Sequence, residues 1–231
     1  KKRNTFVSSY TKSYLDPGST ILEGGCGNGH HVYALKHNNF NAFGIDYAEE
    51  VVKKVNSLVP DLDVRQGDVF NLKQEDKSLD GYWSLGVIEH YFDGYEGITE
   101  EMKRVIKKDG YLFITFPWFN PLRKRKANSN KYPDFVQDTD IDEFYQFALD
   151  HNEVIEYLRD DFSLVYKRGL SAFEGLLKET KFTGKFLGFI HALSKRYILL
   201  RIISKLLHLL LDTKLFCNQY GHSVLLVLKK K

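Results

Sequence analysis

The chain is poor in the residues that hold small domains together covalently or through metal. Of its 231 residues only two are cysteine, Cys26 and Cys217. They show no paired spacing, which argues against a disulfide framework and against a zinc site, and fits a reducing, cytoplasmic setting. Neither charge sign dominates: 33 Lys and Arg against 30 Asp and Glu leave a formal charge of +3. That is too little by itself to mark a nucleic-acid binder. No apolar segment follows Lys1-Lys2-Arg3, so no signal peptide is expected. No initiator methionine is present, so the natural N-terminus is expected to be missing. No run reaches the ~18 uncharged apolar residues of a spanning helix, so no transmembrane segment is expected. What remains is 43% hydrophobic, enough for a sizeable core in one large domain or a domain with an insertion.

The chain is organised around Ile21-Leu22-Glu23-Gly24-Gly25-Cys26-Gly27-Asn28-Gly29. Asp16-Pro17-Gly18-Ser19 before it reads as a turn, Thr20-Ile21-Leu22 as a buried strand, and residues from about 30 to 38 as a helix. Strand, glycine-rich turn and helix is the context that gives a glycine motif meaning. Gly25, Gly27 and Gly29 lack Cβ atoms, so a ligand can lie against the main chain. The helix start adds N–H groups and partial positive charge. Glu23, at the strand's carboxyl end, is an acceptor where a cationic or polar ligand group would sit. Two generic fingerprints fail. A dinucleotide-binding dehydrogenase would need glycine at His30, and no Gly-Lys-Ser/Thr of a phosphate loop follows.

Before this motif, Phe6, Tyr10 and Tyr14 predict an amphipathic helix within residues 4–15, packed on a sheet or closing over the ligand; periodicity favours packing. After it, Asn41–Asp46 reads as a second strand, with Asp46 roughly 20 residues beyond the glycines, where a carboxylate meets ribose hydroxyls in nucleotide-binding sheets. Asp46 equally suits the N-cap of a helix over Ala48–Leu58. Leu62–Gln66 is a third strand closed by Gly67-Asp68-Val69. Leu79–Gly86 is a fourth, followed by Val87-Ile88-Glu89-His90-Tyr91. A helix over Ile98–Lys107 and a turn at Asp109-Gly110 precede a fifth strand, Tyr111–Phe116. This alternation predicts a mostly parallel sheet covered on both faces. Glu23, Asp46, Asp68 and Leu85-Gly86 all fall at carboxyl ends of strands, where such sheets bind ligands.

These residues resemble the class I S-adenosylmethionine-dependent methyltransferases, small-molecule type, over about residues 15–117. Glu23, Gly25, Gly27 and Gly29 match the family pattern acid-x-Gly-x-Gly-x-Gly. Asp46 matches the acid that holds the ribose hydroxyls, and Gly67-Asp68-Val69 the segment that meets adenine. Leu85 matches the position whose backbone faces the methionine part. Lys108-Asp109-Gly110 departs from the family's Pro-Gly pair, at a turn. The resemblance implies a Rossmann-like, doubly wound, seven-stranded α/β sheet with an antiparallel last strand. It implies S-adenosylmethionine as cofactor, with Glu23, Gly25, Cys26, Gly27, Gly29, Asp46, Tyr47, Asp68, Val69, Leu85 and Gly86 as its site. Within a single domain it divides the chain into an N-terminal helix (1–19), a cofactor-binding half (20–117), a substrate-side half (118–170), a helical insertion (171–221) and a last strand with its tail (222–231).

The second half is less specific. Arg123-Lys124-Arg125-Lys126 and Lys131 read as a polar basic loop, either solvated or holding an anionic substrate or RNA phosphates. Thr139–Leu149 reads as a helix capped by Asp138 or Asp140, and Glu153–Leu158 as a short stretch before a sixth strand, Phe162–Tyr166. The last strand is Ser223–Leu228. Between these two strands, which usually form an antiparallel hairpin in the family, lies an insertion that needs its own explanation. It is helical from Phe173, interrupted at Thr183-Gly184, and dense in Leu, Ile and Phe over 185–216, with a narrow basic face. A lid over the substrate, a homodimer interface and a helix lying on a membrane surface all suit it.

For chemistry, methyl transfer mainly requires alignment and exclusion of water. A hydroxyl or protonated amine acceptor must also lose a proton. His90 is the candidate proton acceptor, and its alternative is a structural residue at a helix start. Quinone methyltransferases of the superfamily carry Glu-x-x-Glu-His here. This chain has Gly86 at the first acid, so no metal is expected. His30-His31 are expected to point apart on their helix. Tyr91, Phe92, Trp118 and Phe119 form either an aromatic wall around an apolar or cationic acceptor, or core. The expected activity is O- or N-methylation of a small-molecule or lipid-like acceptor. The alternatives are an RNA methyltransferase and a catalytically silent cofactor-binding module.

Overall fold

The computed structural model describes residues 4–132 and 144–231. One seven-stranded sheet runs in the order β3-β2-β1-β4-β5-β7-β6, mostly parallel with antiparallel last strands. Its strands are β1 (Thr20–Gly24), β2 (Asn41–Asp46), β3 (Val64–Gln66), β4 (Leu79–Leu85), β5 (Ile106–Pro117), β6 (Phe162–Leu170) and β7 (Ser223–Lys230). β1 pairs in parallel with β2 on one side and with β4 on the other. Strand order therefore reverses beside β1, and a crevice opens at the carboxyl ends there. The chain divides into two compact units. The first is Lys1–Thr115, Glu156–Tyr166 and Leu226–Lys231; the second is Phe116–Ile155 and Lys167–Leu225.

In the first unit β1 and β4 are apolar on both faces, as a central parallel strand must be: Ile21, Leu22, Tyr82 and Trp83 are all buried. Helix α1 (Phe6–Thr11) is shorter than expected and starts at a reciprocal cap, with Ser8 N–H donating to Thr5 Oγ1 and Thr5 N–H to Ser8 Oγ. It packs on the sheet through Val7 and Thr11, and the expected rings meet the sheet as well: centroids lie 6.0 Å apart for Phe6 and Trp83, 5.8 Å for Tyr10 and Tyr166, and 5.3 Å for Tyr14, beyond the helix end, and Tyr111. Trp83 Nε1 donates to Thr11 Oγ1 at 2.9 Å, and its ring stacks on Phe113. Helices α2 (His30–Lys36), α3 (Glu49–Leu58) and α4 (Glu96–Val105) follow the expected alternation. Asp109-Gly110 makes no turn ahead of β5, because the strand already begins at Ile106. The register shifts between Leu79 and Gly81, with Asp109 at φ 63°, so the pair sits in a bulge.

The second unit corrects more of the sequence reading. The basic run lies in helix α5 (Pro121–Ala127), not in a loop. Asn120 caps it by accepting from Arg123 N–H at 2.8 Å, and its own amide donates to Gly221 O. Of the expected helix over Thr139–Leu149, residues 139–143 lie outside the described residues, and 144–148 form no helix. Residues His151–Leu158, expected only as a short stretch, form helix α6. The insertion comprises α7 (Ala172–Glu179), α8 (Lys181–Ser194), α9 (Ile198–Leu211) and α10 (Lys214–Tyr220). Thr183-Gly184 does not interrupt it. A Cβ at Gly184 would lie 2.5 Å from Leu177 O, so the glycine lets α8 cross close to α7 from inside the helix. Phe173, Leu176, Leu187, Leu211 and Cys217 form the core of this helical group.

Candidate functional site

The residues singled out at the strand ends all fall in the first unit and share one rim. The β1 loop is tied to the end of β2. Gly25 and Cys26 N–H both donate to Ile45 O, at 2.8 and 3.0 Å, and Gly27 N–H donates to Asp46 Oδ2 at 2.7 Å. The glycines have different reasons to be glycine. A Cβ at Gly25 would lie 2.6 Å from Val87, and one at Gly29 would lie 3.0 Å from Leu62 and Val64. Both are demanded by packing. At Gly27 (φ +50°) a Cβ would meet nothing within 4 Å, so this position alone opens onto free space that a ligand can enter. Cys26 spends its N–H on Ile45 and its carbonyl on Gly29 N–H, and its thiol packs against Gly44. It shapes the loop, and burial pushes its thiol pKa well above the ordinary value.

Glu23 is 2% exposed. Its carboxyl accepts the Val32 N–H near the start of α2, while Oε2 is buried with no hydrogen-bond partner. Burial first, and the neighbouring Asp46 charge after it, push its pKa up to about 8. An unpaired buried acceptor of this kind suits a cationic group such as an ammonium. Asp46 is not the N-cap of α3, a position that Ala48 takes without a side-chain cap; instead Oδ1 accepts from Ala48 N–H at 3.0 Å and Oδ2 accepts from Gly27 N–H at 2.7 Å. A carboxylate oxygen has a second lone pair, so ribose hydroxyls remain chemically compatible. Tyr47 beside it is 79% exposed. Asp68 is exposed at the end of β3, where Oδ1 accepts from Phe70 N–H at 2.9 Å. It adjoins a cavity of about 260 Å³ lined by Gly67, Asn71 and Leu72 among others, and Val69 is buried beside it.

At the end of β4, Gly86 N–H donates to Thr115 O at 3.0 Å, with Leu85 half-buried before it. His90 ends the short 3-10 helix Ile88–His90 and is exposed. The acid before it was missed by sequence reasoning. Glu89 is 2% exposed, and its Oε2 is buried without a hydrogen-bond partner. Its Oε1 lies 3.3 Å from where a Gly86 Cβ would stand, and burial raises its pKa to about 7. The aromatic set divides. Tyr91 meets Phe70 edge to face at 4.7 Å in the first unit. Trp118 is core of the second unit, donating to His151 Nδ1 at 3.1 Å. Contrary to expectation, the His30 and His31 rings lie 3.7 Å apart between centroids. Burial first, then His30, push the His31 pKa down to about 4. Among the described residues no group of three or more His, Cys, Asp or Glu could hold a metal.

The second unit holds a cavity of about 330 Å³ at the carboxyl end of β5, lined by Pro117, Phe119, Tyr132 and Phe147, with Arg123 and Glu179. Arg123 is nearly buried and pairs with Glu179 through Nε at 2.7 Å. Lys126 Nζ and Tyr132 OH both reach Glu179 Oε2, and Lys124 pairs with Asp150. Three members of the basic run are therefore paired within the fold, though by only two carboxylates, and the run is a helix rather than the loop expected.

The profile described as "Methyltransferase domain" matches residues 22–114. A probable S-adenosylmethionine-dependent methyltransferase of Mycolicibacterium smegmatis is 31% identical over 114 residues, 48% of this chain and 44% of that one. A 2-methyl-6-phytyl-1,4-hydroquinone methyltransferase of Synechocystis is 34% identical over 104 residues, 43% of this chain and 32% of that one. The chain thus spans less than half the length of these curated relatives. The geranyl diphosphate C-methyltransferase of Streptomyces coelicolor superposes with TM-score 0.60 over 97% of this chain and 79% of that one, at 15% identity, a likeness of fold alone. With the rim of Glu23, Gly27, Asp46 and Asp68 built as described and the matched segment spanning it, residues 22–114 carry the methyltransferase domain that the profile describes.

Proposed function

We propose that the protein transfers a methyl group from S-adenosylmethionine to a small-molecule acceptor with an apolar part, at oxygen or nitrogen. The observation that carries the cofactor half is the conjunction at the β1 loop: free space above Gly27 beside an unpaired buried oxygen of Glu23. When bound, S-adenosylmethionine supplies a methyl on a positively charged sulfur, activated without help from the protein. The protein's residues then bind and orient. Glu23 takes the ammonium of the methionine part, Asp46 the ribose hydroxyls, and Asp68 with the Val69 N–H the adenine. Leu85-Gly86 brings the methionine part to the end of β4, and Tyr47 stands at the rim. The acceptor's lone pair forms a bond to the methyl carbon as the carbon–sulfur bond breaks, its electrons going to sulfur. Alignment of the three atoms supplies most of the rate. The acceptor's proton passes to His90 at the rim or to Glu89 beneath it. Glu89, raised by burial to about 7, is suited to that transfer.

The apolar part of the acceptor is supported by the lining of the 330 Å³ cavity, to which Phe119, Phe147 and Tyr132 contribute aromatic rings. It also agrees with the names of two relatives, which act on a phytyl hydroquinone and on geranyl diphosphate. The test is calorimetric titration with S-adenosylhomocysteine. The wild-type protein is expected to bind, and Gly27→Val to lose at least a hundredfold in affinity while keeping its circular dichroism. Its side chain would enter the open space, at a φ that β-branched residues avoid. Equal affinity of the two proteins would refute the cofactor assignment. Turnover of S-adenosylmethionine with any acceptor would exclude a catalytically silent module.

A further inference from the structure

Helices α8 and α9 carry two apolar stripes each, and only one of the two is used inside the protein. In α8, Leu187, Ile190 and Ser194 face inward. Phe182, Phe186 and Phe189, spaced one and two turns apart, lie outward, Phe182 at 88% exposure. In α9, Ser204 and Leu211 are buried. Leu199, Ile202, Leu206 and Leu209 are exposed on the side away from them, Leu209 at 71%. A soluble surface rarely leaves so many large apolar side chains contiguous in sequence and helical phase without something to cover them. The charge around them has one sign. Residues 181–214 contain seven Lys and Arg and a single acid, Asp212, and Lys181, Lys185, Lys195, Arg201 and Lys205 are all exposed.

We propose that the α8–α9 pair is a docking surface for an anionic lipid bilayer. Its outward Phe and Leu side chains enter the headgroup–acyl boundary, and its lysines and arginines meet lipid phosphates and carboxylates. The two features are complementary to such a surface and to little else. Anionic headgroups neutralise the basic flanks, and the acyl region takes the apolar stripe. A second copy of this chain pairing through the same face would set like charges against each other. Neither helix is long and apolar enough to cross the membrane, so the contact lies in the interface plane. The inference goes beyond the methyl-transfer reading and does not depend on it. It deepens that reading by bringing the protein to the surface into which an acceptor with an apolar part would partition.

The test is co-sedimentation of the purified chain with vesicles of 30% phosphatidylserine in phosphatidylcholine, against vesicles of phosphatidylcholine alone. Binding is expected to the anionic vesicles, and to weaken at 0.5 M salt. The double variant Lys185→Gln/Lys205→Gln should bind about 25-fold more weakly, at about fivefold per charge. Phe182→Ser/Phe186→Ser, with all charges kept, should bind at least tenfold more weakly. All four positions are exposed, so both variants are expected to keep the wild-type circular dichroism and S-adenosylhomocysteine affinity. Absence of binding to the anionic vesicles would overturn the proposal. So would binding indifferent to phosphatidylserine, or light scattering that shows a dimer dissociated by the Phe182→Ser/Phe186→Ser pair. Loss of S-adenosylhomocysteine binding by the wild-type chain would overturn the methyl-transfer reading alone.

Discussion

Replacing Glu179 by Gln probes how the second unit is held together. Glu179 is the shared acceptor of a cluster: Arg123 Nε donates at 2.7 Å to Oε1, and Lys126 Nζ and Tyr132 OH donate to Oε2. The side chains of Arg123 and Glu179 are 8% and 10% exposed. Burial opposes ionisation of Glu179, yet its three donors win and bring its pKa from 4.5 down to about 2. That displacement corresponds to about 3 kcal/mol of stability. Removing the charge also leaves the Arg123 guanidinium buried beside a neutral group, a change that costs ~3–5 kcal/mol in comparable pairs. The sign follows from the lowered folded-state value: the contribution is complete above the unfolded pKa and is lost as pH falls toward about 2. Urea denaturation should therefore show Glu179→Gln less stable than wild type by about 3 kcal/mol at pH 7. The gap should narrow to about 1.5 kcal/mol at pH 3. A difference below ~1 kcal/mol at pH 7, or one that does not shrink with acid, would mean that the cluster is solvated and that Arg123 is compensated elsewhere.

Three further outcomes test the site. Glu23, raised to about 8 in the free protein, must ionise to hold an ammonium. Cofactor affinity should therefore climb as pH rises toward 8 and then level off. Glu23→Gln should bind roughly tenfold more weakly with no such slope, and calorimetry in buffers of differing ionisation enthalpy would detect the released proton. Glu89, held near pKa 7 by burial, should impose an acid limb on turnover near that pH if it takes the acceptor's proton. Glu89→Gln would then lower kcat at unchanged S-adenosylhomocysteine affinity, whereas His90→Ala would be the variant that lowers kcat if the exposed histidine is the acceptor.

The sequence by itself determined what is local and periodic. The glycine loop, the apolar β1 and β4, the alternation of strand and helix, and the acids at strand ends were legible because each is carried by a few adjacent residues. In a parallel sheet, adjacency to a strand's carboxyl end is adjacency to the site. What failed was local as well, but locally ambiguous. Asp109-Gly110 has the composition of a turn and forms a bulge, and Gly184 resembles a helix breaker yet permits a close helix crossing. Arg123–Lys126 has the composition of a solvated loop and is a helix cross-linked to a carboxylate in α7.

Only the tertiary structure decided matters that depend on burial and on partners distant in sequence. It set which of Gly25, Gly27 and Gly29 faces open space, since the other two are filled by Val87, Leu62 and Val64. It showed that Asp46 already holds Gly27, that Glu89 rather than His90 is the buried group, and that Glu179 is the carboxylate shared by Arg123 and Lys126. It also separated the two stripes of α9. Hydrophobic periodicity marks an apolar face without saying what covers it, because the same Leu and Ile spacing serves a core and a lipid surface equally well. Coverage is a property of the neighbours, and these are placed only when the chain is folded.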